Sequence, residues 1–314
     1  MPKLTLLVGP PGSGKSTFAK NMLLGYAHLS DVNQYPVYAN QDSQGKMEHL
    51  CIFRDALHYK RDVIVDRMNF NVIQRLGYIE QARSFGYEVE IHVFHESYET
   101  CIKRAIARKD HETIKDEKAA RGAIGFFFKN YGRVQDHEAD NVIRHYPEGP
   151  KPSAIICDLD GTLANCDHRR HFVRDLPEGK KKNWPAFFDG IKDDKVNQWC
   201  ADILKGMAQD DHRIVYCSGR SENERLATAE WLHKHGLDRF YQDSPRGVRS
   251  TRIPNLYMRM AGDSRMDCIV KEIILDFEIL TRYTPYFMID DRQQVVDMWR
   301  KRGFVCLQCD VGNF

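Results

Sequence analysis

The sequence predicts two doubly wound parallel α/β domains, on three observations. The chain has 314 residues, more than one hydrophobic core usually organises. Two short apolar runs, LTLLVG (4–9) and AIICDLDG (154–161), each end in a glycine-containing turn, as buried parallel strands do when they deliver a loop. Between them lies YPEGPKPS (146–153), a proline-rich break that neither helix nor sheet continues through. The boundaries predicted are 1–149 and 150–314.

In the first half, further strands are read at VIVD (63–66) and VEIHVF (89–94), with helices at 71–84 and 98–109. In the second half, strands are read at RIVYCSG (213–219) and YFMIDD (286–291), with helices near 222–235 and 268–281. Strands alternating with helices give a parallel sheet covered on both faces.

Composition narrows the function classes. A hydrophobic content of 42% with 29% charged residues is that of an ordinary globular chain. No apolar run reaches the ~20 residues of a bilayer span, and no charged-then-apolar leader opens the chain, so a cytoplasmic protein is expected. Nine Cys, an odd number, suit a reducing compartment, and the lone pair Cys306 and Cys309 lacks a second pair at zinc spacing. Residues 1–149 hold 20 Lys and Arg against 19 Asp and Glu, leaving 26 against 25 of the 46 and 44 in the chain. Overall charge therefore gives no case for nucleic acid, and local clusters must carry it.

Gly9-Pro-Pro-Gly12-Ser13-Gly14-Lys15-Ser16-Thr17 fits the phosphate-cradling pattern G-x-x-x-x-G-K-[ST] between a strand and a helix. Backbone N–H groups and the helix N-terminus face phosphate oxygens, Lys15 neutralises them, and the Ser16 hydroxyl suits Mg²⁺, so ATP is the expected ligand. Transfer to an alcohol needs a base, for which Asp42 in YANQDSQGK is the candidate. Arg104 and Arg108 stand four apart on one predicted helix face. Asp66, closing its strand, is read equally as a magnesium or loop-orienting group and as a strand-end cap.

The second half builds a different centre. Asp158 and Asp160 follow their strand, one placed to attack phosphorus and form an aspartyl-phosphate, the other to protonate the leaving oxygen and then activate water. Gly161 and Thr162 bring backbone close. Adjacent Asp290 and Asp291 repel unless a cation lies between them, so Mg²⁺ is expected with Asp158 and Asp160. Ser218 offers a hydroxyl to phosphate, and Lys271 can stabilise aspartate and phosphate together.

The D-x-D-G-T loop, Ser218, Lys271 and Asp290-Asp291, in that order, resemble the haloacid dehalogenase (HAD) phosphatase superfamily. The first half, with NQD, VDRMNFNVIQR and RAIARKDH, resembles the polynucleotide 5′-kinase branch of P-loop kinases. The two together resemble the T-even phage polynucleotide kinase/3′-phosphatase family over nearly the whole chain. The resemblance implies a P-loop kinase fold followed by a HAD fold with a small cap. It implies Asp42 as acceptor of the 5′-hydroxyl proton, and Arg104 and Arg108 on the ATP phosphates. It also implies Ser218, Arg220, Arg259, Lys271, Asp290, Asp291 and Arg292 in the phosphatase. Where the family carries an acceptor-phosphate Arg, this chain has Gly45 followed by Lys46, a point charge in place of a fork.

The implied task is healing of RNA and DNA ends: phosphate added to a 5′-hydroxyl and removed from a 3′-phosphate or cyclic phosphate. A separate ligase is the implied partner, and self-association is a family trait. Arg169-Arg170 and Lys180-Lys181-Lys182, the latter followed by Trp184, are candidate backbone and base contacts over the second site. Two rival readings are a small-metabolite kinase fused to a phosphatase, and an ATP-gated binding module.

Overall fold

The computed structural model describes residues 1–28, 30–31, 34–108, 114–174, 176–177, 179–238 and 255–312. The chain divides into two compact units, Met1–Glu148 and Gly149–Phe314.

The first unit holds β1 (Lys3–Val8), β2 (Val37–Asn40), β3 (Val63–Asp66), β4 (Glu88–Phe94) and β5 (Asn141–His145) in the order β2-β3-β1-β4-β5. Every pairing is parallel. Leu4, Leu6, Leu7 and Val8, with Val63 to Val65, are buried, as unbroken apolar runs covered on both faces must be. The chain leaves β1 to one side and later returns to the other, so the loop after β1 sits where the sheet order reverses. The helix Lys15–Leu24 begins directly after that loop. Asn71 and Ser97 cap the helices Val72–Ser84 and Tyr98–Ala107 through their side-chain oxygens. Lys109, at the end of the expected helix 98–109, lies outside the described residues. Buried Arg75 forks onto Glu138 at 2.6 and 3.0 Å and donates to the Asn69 carbonyl, tying Val72–Ser84 to the turn before β5.

The second unit repeats the plan with β6 (Ser153–Cys157), a short antiparallel pair β7 (Ala164–Asn165) and β8 (Lys195–Val196), then β9 (Arg213–Ser221), β10 (Leu256–Arg259), β11 (Thr284–Arg292) and β12 (Cys306–Gly312). The main sheet is parallel in the order β10-β9-β6-β11-β12, again with its first strand central. Residues between β7 and β8 form the small insert, with its own core of Cys166, Val173 and Phe187. The expected helix 222–235 is a short turn at Glu222–Glu224 followed by a helix over Arg225–Lys234. The expected helix 268–281 runs over Asp267–Ile274 and loosens into a π-helical turn at Leu275–Ile279.

Strands β2, β5, β10 and β12 were not legible in the pattern. Edge strands β2, β5 and β10 are short, and β5 is half-buried along its length, so neither alternation nor a continuous apolar run marks it. Among the described residues no helix is long and apolar enough to cross a membrane.

Candidate active sites

In the first unit the loop after β1 folds tightly against the helix Tyr98–Ala107. Gly12 has φ of 83°, and a Cβ there would run into the Cys101 carbonyl. Only glycine lets the backbone lie this close. The Ser13 hydroxyl is buried and has no hydrogen-bond partner among the described residues. A cradle that a Cβ would block and an unused buried hydroxyl fit a polyphosphate. Lys15 donates to the carbonyls of Gly9 and Pro10 at 2.7 and 2.8 Å. Burial pushes its ammonium below the ordinary lysine range, while Asp66 and, more weakly, Asp42 pull upward and Arg108 adds to the lowering.

Asp66 is buried and accepts from Tyr38 at 2.6 Å and from Asn40 at 2.9 Å. Ser16 bonds the same Tyr38 hydroxyl, which burial and Asp66 push up. The Ser16 hydroxyl is thus linked through Tyr38 to Asp66. Asp42 is exposed on the one-turn helix Gln41–Gln44, which Asn40 caps by accepting from the Ser43 N–H. Lys46 is exposed at the start of the next helix, Lys46–His58. Arg104 pairs with Glu96 at 2.9 Å, and Arg108 falls just past the helix end with extended backbone, so the two do not share a helical face. Arg67 escaped the sequence reading. It follows β3 beside the Asp42 turn and donates to Tyr78 at 3.0 Å, and Tyr78 bonds buried His49 at 2.8 Å.

In the second unit, Lys271 is fully buried and bridges two strand ends. It donates to Asp158 at 2.6 Å and Asp290 at 2.8 Å and lies 3.6 Å from Asp267. Burial opposes its charge, but Asp158, Asp290 and Asp267 hold it well above the ordinary range. Asp158 is raised by burial and by the neighbouring carboxylates, with Lys271 opposing.

Carboxylate oxygens of Asp158, Asp290 and Asp291 lie within 4.8 Å of one another. Asp291 Oδ2 is buried with no hydrogen-bond partner among the described residues. A Cβ on Gly161, at φ of 86°, would collide with that atom. Three hard oxygen donors with an unused lone pair fit Mg²⁺. The β11 register shifts between Asp290 and Arg292, which lets two consecutive carboxylates serve one site.

The Asp160 carboxylate, expected among the magnesium ligands, is outside that cluster. Arg169 and Arg220 each reach Oδ1 at 2.5 Å, Arg220 Nε reaches Oδ2 at 2.9 Å, and both guanidiniums also bond buried Asp194. Burial alone would raise Asp160; Arg220 and then Arg169 overturn that and hold it below the usual carboxylate range.

Arg220, expected on phosphate, therefore grips Asp160 here. Ser218 is buried and accepts from the Arg220 N–H at 3.2 Å. Thr162 donates to Asp291 at 3.4 Å. Arg259 donates to the Gly219 carbonyl at 2.9 Å and to Asp267 at 3.3 Å, and Arg292 stands 3.5 Å from Asp267. Asp267 is thus the hub of a cationic ring that sequence reasoning missed. Its spacing of four from Lys271 on one helix was the available signal. Asp194 and the inward role of Arg169 were missed as well.

The family model for the polynucleotide kinase PNKP phosphatase domain matches residues 152–314, and a model for the AAA domain matches residues 4–124. The chain is 26% identical over 319 residues to a protein of Autographa californica nuclear polyhedrosis virus named as a bifunctional polynucleotide kinase/RNA ligase, covering 95% of this chain and 41% of that one. It is 34% identical over 89 residues to an Acanthamoeba polyphaga mimivirus protein named as a bifunctional polynucleotide phosphatase/kinase, covering 27% of this chain and 19% of that one. The chain spans less than half the length of these curated relatives. Among solved structures, it is similar to a chain of the Pnkp1/Rnl/Hen1 RNA repair complex, with 24% identity, a TM-score of 0.40, and coverage of 100% of this chain and 97% of that one.

Proposed function

The chain belongs to the family of the polynucleotide kinase PNKP phosphatase domain, and on that premise we propose that it heals nucleic-acid ends with two sites. Residues 1–149 move the ATP γ-phosphate to a 5′-hydroxyl, and residues 150–314 hydrolyse a 3′-phosphate. The observation that carries the reading is the Lys271 bridge between Asp158 and Asp290, in a chain whose other unit is built around a complete phosphate loop.

At the first site, Lys15 exchanges two carbonyl partners for phosphate oxygens, and Asp42 takes the hydroxyl proton as that oxygen attacks the γ-phosphorus, whose bond to the β–γ bridging oxygen breaks and releases ADP. Arg108 and Arg104 add charge around the transferring group. Ser16 would hold Mg²⁺, whose role is to neutralise phosphate charge.

At the second site, an Asp158 oxygen attacks phosphorus, the bond to the ribose 3′ oxygen breaks, and that oxygen takes a proton from Asp160. Water then attacks the aspartyl-phosphate, with Asp160 as base, and inorganic phosphate leaves. The guanidiniums of Arg220 and Arg169 favour the ionised form of Asp160, which suits the second step. Its acid role requires that the incoming phosphate draw Arg169 and Arg220 away from the carboxylate. Ser218 and Lys271 bind the transferring group. Asp158, Asp290 and Asp291 would hold Mg²⁺, which supplies counter-charge for attack of an anion on an anion.

RNA and DNA ends are the proposed substrates, and a separate ligase is the proposed downstream partner, since the two products are a 5′-phosphate and a 3′-hydroxyl. The test is end analysis of an oligoribonucleotide bearing a 5′-hydroxyl and a 3′-phosphate, with ATP and Mg²⁺. Lys15→Ala is expected only to lose the 3′-phosphate, and Asp158→Ala only to gain a 5′-phosphate. If Asp158→Ala consumes ATP while the 5′ end stays untouched, the kinase acts on a small metabolite or ATP hydrolysis serves another purpose.

A further inference from the structure

One corner of the small insert is built unlike a solvated loop. Lys180, Lys181, Lys182, Asn183, Trp184 and Pro185 are all exposed, and no carboxylate among the described residues pairs with the three lysines. The corner is nevertheless held firmly. Asn183 donates its N–H to the Phe172 carbonyl at 2.9 Å, and its side chain caps the helix Trp184–Asp189 by accepting from Ala186 at 3.2 Å. Trp184 meets Phe187 edge-on at 5.7 Å and lies nearly parallel to Phe188 at 5.8 Å, so one side of the indole is backed by aromatic rings. The indole is still 38% exposed, and the Lys182 ammonium lies 5.6 Å from its centroid.

The rings behind Trp184 lead straight to the second site. The Arg169 guanidinium stacks over Phe187 with its carbon 4.0 Å from the centroid, and donates to the Phe187 carbonyl at 3.2 Å. Through its other end it bonds Asp160. Only two side chains, Phe187 and Arg169, separate the exposed indole from the carboxylate that handles the leaving group.

A half-open aromatic face among lysines that no carboxylate among the described residues pairs with is the chemistry that recognises a base and its flanking phosphates in a single strand. We propose that Trp184 stacks a base near the scissile 3′-phosphate while Lys180 to Lys182 meet the adjoining backbone, so that the second site selects single-stranded polynucleotide ends over isolated phosphate esters. Charge complementarity commits the occupant to a polyanion, and the indole to one that carries bases. The inference rests on the phosphatase reading above and names the substrate class of that site.

The test compares a 3′-phosphorylated oligonucleotide with p-nitrophenyl phosphate, which uses the same carboxylates and offers no strand. In Trp184→Ala the ratio of kcat/KM for the oligonucleotide to that for p-nitrophenyl phosphate is expected to fall about tenfold or more. Trp184→Phe, which keeps a stacking face and the packing on Phe187, is expected to restore most of it. Replacing the three lysines by Gln should flatten the salt dependence of KM for the oligonucleotide, by about 0.7 in logarithmic slope for each backbone phosphate no longer neutralised. An unmoved ratio in Trp184→Ala, with wild type active on both substrates, overturns this inference alone. Wild type that hydrolyses p-nitrophenyl phosphate and no 3′-phosphorylated strand overturns the phosphatase reading, and this inference with it. Binding to the Asp158→Ala variant gives an activity-free check: the oligonucleotide should quench tryptophan emission, and Trp184→Phe in that background should abolish the quench. A persistent quench overturns the inference.

Discussion

Among the described residues each unit buries one lysine, Lys15 and Lys271, and the two are held in opposite ways. Lys15 donates to two neutral carbonyls, and burial lowers its affinity for the proton. Lys271 is clasped by carboxylates, and their charge raises its affinity despite burial. A cation on carbonyl oxygens can be handed to a phosphate at small cost, because no charge is left uncompensated behind it. A cation between carboxylates cannot leave, because at least two buried anions would then face each other. The first unit can therefore release its lysine, while the second is built around one.

The sharpest way to break that comparison is to replace each lysine by Met. Lys271→Met should abolish phosphatase activity and lower the stability of the second unit by about 3–5 kcal/mol, since Asp158, Asp290 and Asp267 lose their shared partner. Lys15→Met should cut kinase turnover by about a thousandfold and leave the first unit as stable as before or slightly more so. All four tryptophans (Trp184, Trp199, Trp231 and Trp299) lie in the second unit, so intrinsic fluorescence follows that unit alone while circular dichroism follows both. Equal stability losses in the two variants would erase the distinction.

Magnesium should show the same asymmetry. It stabilises whatever binds it in the folded state, by about 2.7 kcal/mol at a hundred times Kd. The fluorescence melt should therefore rise with Mg²⁺ and return with EDTA, because Asp158, Asp290 and Asp291 lose their mutual repulsion. Without ATP the first unit should not respond. A melt indifferent to Mg²⁺ would mean the three carboxylates hold no cation.

Two glycines sharpen the contrast further. Gly12→Ala drives a methyl into the Cys101 backbone carbonyl, which cannot yield, and should cost the first unit about 1–3 kcal/mol together with its kinase activity. Gly161→Ala meets the end of the Asp291 side chain, which can turn aside. There the stability cost should be smaller, and the loss should appear in Mg²⁺ affinity, read by the shift of the fluorescence melt.

The smallest expected effect is one of pH. Burial lowers the proton affinity of His49 and His145, both in the first unit. The unfolded chain then binds more protons than the folded one below about pH 6.5, so stability falls as pH drops through that value. Partial exposure of His145 limits its share of the loss. Melts of the first unit between pH 7.5 and 5.5 should show it, and His145→Gln should reduce the slope.

How much the sequence disclosed follows from how each site is assembled. The loop 9–17 and the stretch 158–162 carry their chemistry in consecutive residues, so both stood out before any fold was known. Ser218 and Asp290-Asp291 were legible because apolar runs lead into them, although the strand that carries Ser218 runs on to Ser221. The Arg169–Asp160–Arg220–Asp194 network was not, because it joins four segments whose proximity only packing creates. Arg169 beside Arg170 looked like a surface pair, yet Arg169 is among the most deeply buried large side chains described. Arg104 and Arg108 misled in the other direction, since a helix that stops at Ala107 removes the shared face their spacing suggested.

The second centre also has a consequence for synthesis. The carboxylate proposed as its nucleophile is at position 158, but its lysine and its last two carboxylates arrive only at 271, 290 and 291. The first unit is complete by Glu148. A ribosome that stops early, anywhere between those points, releases a chain that carries the whole phosphate loop of the first unit and lacks the second carboxylate cluster. The order of the two halves along the message thus decides which of the two sites survives premature termination.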